Sequence, residues 1–79
     1  MGKFVVVKYE TKPNAKSYDD IVEEKYLMRF ILDHNPYPIK SWTKNIVNSI
    51  LFFNKDYAKM VCEMLSVNTP YPLKVEEVQ

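Results

Sequence analysis

The sequence predicts an α+β fold in which two similar strand–helix–strand halves form one four-stranded antiparallel sheet, with both helices on one face. The first supporting observation is a repeated motif of Pro-Tyr-Pro, an aliphatic residue and Lys, which begins at Pro36 and again at Pro70. The second is that each copy follows a stretch of helix-forming residues and precedes a stretch of strand-forming residues. The third is length, because 79 residues suit a single domain spanning 1–79.

The first half of the chain contains the first predicted strand and helix. Residues 3–10 read KFVVVKYE, and three consecutive Val between aromatic residues are typical of a strand. A helix is predicted over residues 18–33, because Ser17 can cap it and acidic residues follow near the positive end of its dipole. Asn35 and Pro36 would end this helix. The piece KYLMRFIL also alternates like a strand, so a strand remains open here, although we favour the helix.

The second half begins with two further predicted strands. Residues 39–44 form the first of them, entered from the first Pro-Tyr-Pro motif. The segment 46–54 reads IVNSILFFN, which is rich in β-branched and aromatic residues and is therefore predicted to be the next strand. A helix through Trp42, Ile46 and Ile50 is the competing interpretation of this part of the chain.

The clearest helical pattern follows, and a strand ends the predicted architecture. Asn54 can cap a helix that reads NKDYAKMVCEMLSVN, in which apolar residues fill one arc and charged residues the other. The final strand lies in NTPYPLKVEEV, with Leu73, Val75 and Val78 as its apolar positions. The element order is then βαββαβ, the ferredoxin-like arrangement, with strands in the spatial order 4-1-3-2.

One part of this pattern resembles the third strand and second helix of the RNA recognition motif. In that family a strand ending in Phe is followed six residues later by an Ala in the helix, and Phe52 and Ala58 have this spacing. The resemblance implies the ferredoxin-like fold. It does not bring the RNA-binding aromatic residues, since the corresponding octapeptide positions, aligned through Phe52, are occupied by Asn45, Ile46, Val47 and Ser49.

Composition limits the classes of partner and the cellular setting. The net charge is +1, with 11 basic and 10 acidic residues, which gives no general attraction to nucleic acid or to an anionic membrane. Cys62 is the single cysteine, and no apolar run is long enough for a signal peptide or a membrane span. We therefore expect a cytoplasmic protein. A chain with one Gly and six Tyr also resembles small phage-encoded accessory proteins in composition.

The sequence contains no recognisable catalytic or metal-binding set. His34 is the only histidine and is expected to complement a helix C-terminus, since no partner for acid–base chemistry is suggested. Cys62 lies in the apolar arc of the second helix and is expected to be a buried small hydrophobe. One Cys and one His cannot form a structural zinc site. We expect no enzyme activity, no cofactor and no metal.

Two groups of residues are candidates for contact with a partner. If Ile39 faces the helices, alternation turns the neighbouring Lys and Trp residues toward solvent, whereas the opposite register places Trp42 in the core; both registers remain open. Partner binding is predicted for a set that spans the open sheet face: Phe4, Lys8, Lys40, Trp42, Lys44 and Phe53. An acidic patch comprises Asp19, Asp20, Glu23 and Glu24; we expect it to complement the dipole of the first helix, and the alternative is that it meets a basic partner or mimics the charge of nucleic acid.

The leading hypothesis is a small non-enzymatic module that docks on another protein and blocks it sterically. The partner could belong to a host or defence complex, with the chain acting as a phage or mobile-element inhibitor. The alternative is a single-stranded nucleic-acid-binding domain that uses the open sheet face, and a third option is a homodimer packed through the sheet. No membrane partner is expected.

Overall fold

The computed structural model describes residues 2–11, 21–31 and 38–78, with the backbone alone for Ile21 and Val22. Four strands form a single sheet in which every neighbouring pair is antiparallel, in the order β3-β2-β1-β4. The elements, in chain order, are β1 (Lys3–Thr11), β2 (Ile21–Ile31), β3 (Ile39–Thr43), a short 3₁₀ turn (Ile46–Asn48), α1 (Lys55–Ser66) and β4 (Leu73–Val78). The α+β class is therefore confirmed.

β1 is the strand on which the sheet is built. It pairs with β2 along its second half and with β4 along most of its length, so both of its edges are used. Its run of three Val, Val5 to Val7, is fully buried, as expected of a strand that is covered on both faces. Alternation sends Val6 to one side of the sheet and Val5 and Val7 to the other.

The predicted helix over residues 18–33 is wrong for residues 21–31, which form the longest strand of the sheet. The apolar residues here surround a helical wheel, so a helix could not bury them on one side. As a strand, the segment pairs with β1 from Val7 opposite Tyr26 to Thr11 opposite Ile21, and Leu27 becomes completely buried. The remaining residues of the predicted helix lie outside the described residues.

The ferredoxin-like order therefore does not hold. The described part of the chain has one α-helix, and its element order is βββαβ, apart from the 3₁₀ turn. Three strands follow one another as a meander, and β4 then pairs with the free edge of β1. From the 4-1-3-2 order, the contact between the first and last strands is retained as a ladder, and the contact between the first strand and residues 46–54 is retained only as one bridge, between Phe4 and Phe52.

The predicted strand over residues 46–54 is also absent. Asn45 caps the 3₁₀ turn, because its side-chain oxygen accepts a hydrogen bond of 3.0 Å from the Val47 N–H. The chain then passes between β1 and β2, where their pairing has stopped. Phe52 exchanges two backbone hydrogen bonds with Phe4, of 2.7 and 2.8 Å, and the Ile50 N–H donates to the Leu27 carbonyl at 2.9 Å. Two short contacts thus replace the expected ladder.

The second half of the prediction is confirmed for α1, β3 and β4. The Asn54 side chain accepts from the Tyr57 N–H at 3.0 Å and so begins α1 as predicted. The buried residues of α1 are Ala58, Val61 and Leu65. Cys62 beside them is half-buried, and this burial raises the pKa of its thiol above the ordinary value, consistent with the expected packing role.

Apolar side chains are buried on both sides of the sheet. On the side that α1 covers, here called the α1 side, the central residues are Val6, Leu27 and Phe52 with the buried residues of α1. On the opposite side, here called the far side, Val5, Val7 and Tyr9 are exposed by 1%, 0% and 7%, and Tyr26 and Val78 pack against them. The prediction of a bare sheet face opposite the helices is therefore wrong at its centre. Among the residues that the structure describes, no helix is long and apolar enough to cross a lipid bilayer.

The strand at residues 21–31 predicts a sharp difference between adjacent substitutions. Leu27→Ala is expected to lower the free energy of unfolding by about 2–5 kcal/mol, because it leaves a cavity in the α1-side core. Met28→Ala is the matched control at an exposed position and is expected to cost about 0.5 kcal/mol or less. Urea denaturation followed by circular dichroism measures both values. Equal losses for the two variants would contradict the alternation.

Candidate functional site

The structure brings three of the predicted partner-binding residues together on the α1 side of the sheet. The Lys8 ammonium lies 4.8 Å from the centroid of the Trp42 ring and 5.8 Å from that of Tyr71. Lys40 lies near Lys8, and its ammonium donates a hydrogen bond of 2.9 Å to the Asn68 carbonyl. These four side chains, Lys8, Lys40, Trp42 and Tyr71, are here called the lysine–aromatic cluster.

Trp42 takes the core position, which decides between the two registers that the sequence left open. It is half-buried and packs against the core of the α1 side, while Ile39, the residue that was to face the helices, is exposed. The backbone register explains this placement, because Trp42 lies opposite the buried Leu27. The Lys-Trp-Lys row therefore does not face solvent on the far side, as the alternative required.

Lys8 is the most unusual residue of the cluster, since it is charged and only 9% exposed. It follows Val6 by two positions in β1, so alternation places it on the α1 side as well. A buried ammonium is costly unless an opposite charge or a polar group compensates it. Glu10, two positions further along the same strand, provides that charge at 2.8 Å.

Further ion pairs extend from Glu10 across the sheet. β1 and β2 pair so that Lys25 lies opposite Lys8 and Glu23 lies opposite Glu10. Lys25 contacts Glu10 at 3.2 Å and Glu23 at 4.0 Å, and Lys44 contacts Glu23 at 2.8 Å. The result is an ion-pair chain of alternating sign, which runs in the order Lys8, Glu10, Lys25, Glu23, Lys44.

The charges of this chain change the acidity of its members. Hydrogen bonds from Lys8, and then from Lys25, hold the pKa of Glu10 below its ordinary value despite partial burial. The carboxylate of Glu23 raises the pKa of Lys44. Burial, followed by repulsion from Lys8, lowers the pKa of Lys40. Two carboxylates therefore offset two of the four lysine charges in this region, and the ion-pair chain itself keeps a net charge of one.

The other predicted site residues are separated from the cluster. Phe4 packs against the core on the α1 side, whereas Phe53 is 70% exposed and lies just before the residue that caps α1. Glu23 belongs to the ion-pair chain, but Glu24 is its neighbour in a strand and so points to the far side. The two therefore do not form one patch. Asp19, Asp20 and His34 lie outside the described residues.

Sequence reasoning missed an exposed row of apolar residues on α1 and its C-cap residue, Val67. Four residues spaced by three, four and three positions share one side of the helix and are between 41% and 77% exposed. They are here called the apolar stripe: Tyr57, Met60, Met64 and Val67. The sequence carried a signal for it, because the apolar arc of this helix is wider than one contact with a sheet can cover. The pattern could not tell which part of the arc is buried.

The stripe begins next to the core. The Tyr57 ring lies 5.7 Å from that of Phe52, which in turn stacks on Phe30 of β2 at 6.0 Å. Tyr57 is thus held at its inner end while nearly half of it remains accessible to solvent. The two methionines and Val67 continue from there along the helix.

Comparison of the chain with protein-family models, with curated proteins and with solved structures gives no match. Within residues 2–11, 21–31 and 38–78, no three His, Cys, Asp or Glu side chains are grouped so that they could hold a metal ion.

Glu10 is expected to give the protein a measurable sensitivity to acid. Its pKa is lower in the folded protein than the ordinary value of 4.5, so its stabilising contribution is present above that value and is lost as pH falls through the folded pKa. Glu10→Gln should remove this part of the pH dependence. It should also lower the free energy of unfolding at neutral pH by about 1–3 kcal/mol, because Lys8 loses a charged acceptor.

Chemical denaturation at a series of pH values below neutrality measures this effect. Lys25→Gln serves as the graded comparison, and it should keep most of the acid sensitivity, since the bond from Lys8 is the larger cause of the shift. A Glu10→Gln variant with the same acid slope as the wild type would show that the ion-pair chain does not control it.

Proposed function

We propose that the chain is a small protein-binding module and that its docking surface is the apolar stripe of α1. The observation that carries the proposal is that this helix has two apolar sides, of which only one is buried in the domain. Single exposed apolar residues are common, but a continuous row of four on a short helix is the kind of surface that a partner covers.

The side chains of the stripe suit contact with protein. Methionine is flexible and polarisable, so it adapts to an irregular apolar partner, and tyrosine is enriched among the residues that dominate binding energies. Charged residues flank the stripe on the solvent side of α1, among them Lys59 and Glu63. An apolar centre with a polar rim is the usual anatomy of a protein–protein interface.

The lysine–aromatic cluster gives less support to binding of single-stranded nucleic acid. Binding of that kind combines free aromatic faces with basic groups that follow the phosphates. Here Lys8 lies over the ring of Trp42, and Glu10 and Glu23 form ion pairs with Lys8, Lys25 and Lys44, which leaves that chain with one net positive charge. We therefore propose protein binding first and keep nucleic acid as an outcome of the experiment.

The proposed mechanism is steric, in that the bound helix covers a surface that its target needs. We place the protein in the cytoplasm, a proposal that rests on its single cysteine. Inhibition of a host or defence complex by a phage-encoded chain stays a prediction from composition, and it depends on the identity of the partner.

Substitution of the two methionines tests the docking surface. The immobilised wild type is expected to retain a protein from a nuclease-treated lysate of its source cells, and purified partner would then be titrated with each variant. Met60→Gln combined with Met64→Gln should weaken binding roughly tenfold or more, because it places polar groups in the centre of the interface. The fluorescence of Trp42, the only tryptophan, can follow folding of each variant.

The matched control changes the residue that precedes each methionine on the same helix, Lys59→Gln combined with Glu63→Gln. These residues are exposed and charged, so the control should bind within about twofold of the wild type and unfold within about 0.5 kcal/mol of it. Equal binding by both double variants would exclude the stripe as the docking surface. Retention of oligonucleotide alone, in a lysate without nuclease, would favour the alternative function.

A further inference from the structure

The outer edge of β4 is a second surface with the features of an interface, and it is independent of the proposed docking stripe. β4 pairs with β1 on one edge, and within residues 2–11, 21–31 and 38–78 no strand pairs with its other edge. An open edge presents backbone N–H and C=O groups that can pair with another strand. The hydrogen bonds between β4 and β1 determine which residues of β4 present these groups at the open edge.

The register with β1 determines the direction of each backbone group in β4. The Tyr9 N–H donates to the Pro72 carbonyl at 3.0 Å, which makes these two residues a hydrogen-bonded pair. In an antiparallel ladder such pairs alternate, so Lys74 and Glu76 also direct their backbone groups toward β1. The residues between them, Leu73, Val75 and Glu77, therefore direct theirs to the open edge.

The side chains of β4 place two opposite charges on the same side of the sheet. The Lys74 ammonium lies 5.9 Å from the centroid of the Tyr9 ring, and the Tyr9 hydroxyl donates a hydrogen bond to the Glu76 carboxylate. Both charges thus lie on the far side, one on each side of Val75 along the strand. Val75 itself points to the α1 side and packs against the core.

We propose that two copies of this chain pair through β4, antiparallel, with Val75 of one copy opposite Val75 of the other. The outward backbone groups of Val75 then bond to each other, and Leu73 pairs with Glu77 of the second copy. Lys74 of each copy lies opposite Glu76 of the other on the far side. Such directly opposed residues have close side chains, and opposite charges there stabilise the pairing.

Charge selects this register over its neighbours. The two β4 strands can slide past each other only by an even number of residues. An odd shift would pair outward-directed residues with inward-directed ones and would join opposite faces of the two sheets. A shift of two in one direction puts Lys74 opposite Lys74 of the second copy, and in the other direction it puts Glu76 opposite Glu76. Only the register centred on Val75 pairs unlike charges, and it does so twice by symmetry.

Proline, bulges and charged side chains protect edge strands from unwanted partners. Of these, β4 has only the charged side chains, and their order suits a second copy of the same strand. β4 has its Pro72 before the strand, a regular register with β1 and alternating charge signs that complement a second copy. The other edge strand, β3, has Lys40 and the half-buried Trp42 on its α1 side and lacks this self-complementary order.

Sedimentation equilibrium over a wide range of protein concentration tests the proposal. The wild type should form a dimer whose population rises with concentration and falls with added salt, since two ion pairs contribute. Lys74→Glu alone, and Glu76→Lys alone, should each weaken dimerisation about tenfold by opposing like charges. The double variant Lys74→Glu with Glu76→Lys should restore it to within about threefold of the wild type.

A backbone variant tests the strand pairing independently of charge. Val75→Pro removes the outward N–H without removing a bond to β1, so it should abolish the dimer while circular dichroism stays that of the folded domain. If this variant does not fold, the rescue by the double charge reversal decides the question. The Met60→Gln and Met64→Gln variant of the stripe should dimerise normally.

Four results would overturn the proposal. The first is a wild type that stays monomeric at all concentrations, and the second is a folded Val75→Pro variant that still dimerises. The third is a double charge reversal that dimerises no better than the single reversals. The fourth is loss of the dimer when the two methionines of the stripe are substituted. The last result would move the interface between copies from β4 to α1.

Discussion

The pairing of β1 on both edges is the constraint on which the rest of the molecule depends. β1 and β2 are both paired on two edges, but the three consecutive valines give β1 fully buried side chains on both faces as well. Once β1 needs two neighbours, β2 must be extended and β4 must return to the opposite edge. α1 then covers the face of the sheet on which Val6 and Leu27 lie. It does not neutralise the charged residues at the end of β1, which are compensated by residues of the sheet itself.

Lys8 and Glu10 show how the charged end of β1 is compensated. The alternation that buries Val6 also turns the next α1-side position of the strand inward, and that position is a lysine. Glu10 compensates it from the same strand, and Lys25, Glu23 and Lys44 continue the pattern across the sheet. Residues that looked like a basic contact surface are thereby engaged in ion pairs within the domain, which is why we propose the exposed apolar residues as the docking surface instead.

The elements that could be predicted are those whose signals are local. The Asn54 cap and the one-sided arc of α1 are contained in the helix itself, and the valines of β1 identify a strand without reference to the rest of the chain. The structure of residues 21–31 depends instead on a strand that is distant in sequence. Its residues suit a helix or a strand, and pairing with β1 selects the strand. The same is true of Phe52, whose bridge to Phe4 has no local signal. The ion-pair chain depends on the β1–β2 register, which sequence alone does not provide.

The adjacency of β1 and β4 also determines how the chain can reach its native state. Their ladder joins Lys3 to Val78, so it closes a loop that contains nearly the whole chain. Closure of long loops is entropically unfavourable, and chains dominated by such distant contacts fold slowly compared with helical domains. Until β4 pairs with it, β1 has an unpaired edge that a strand of another molecule can occupy. Because this edge is closed by the most distant pairing in the sheet, it is the edge most open to exchange of strands between molecules.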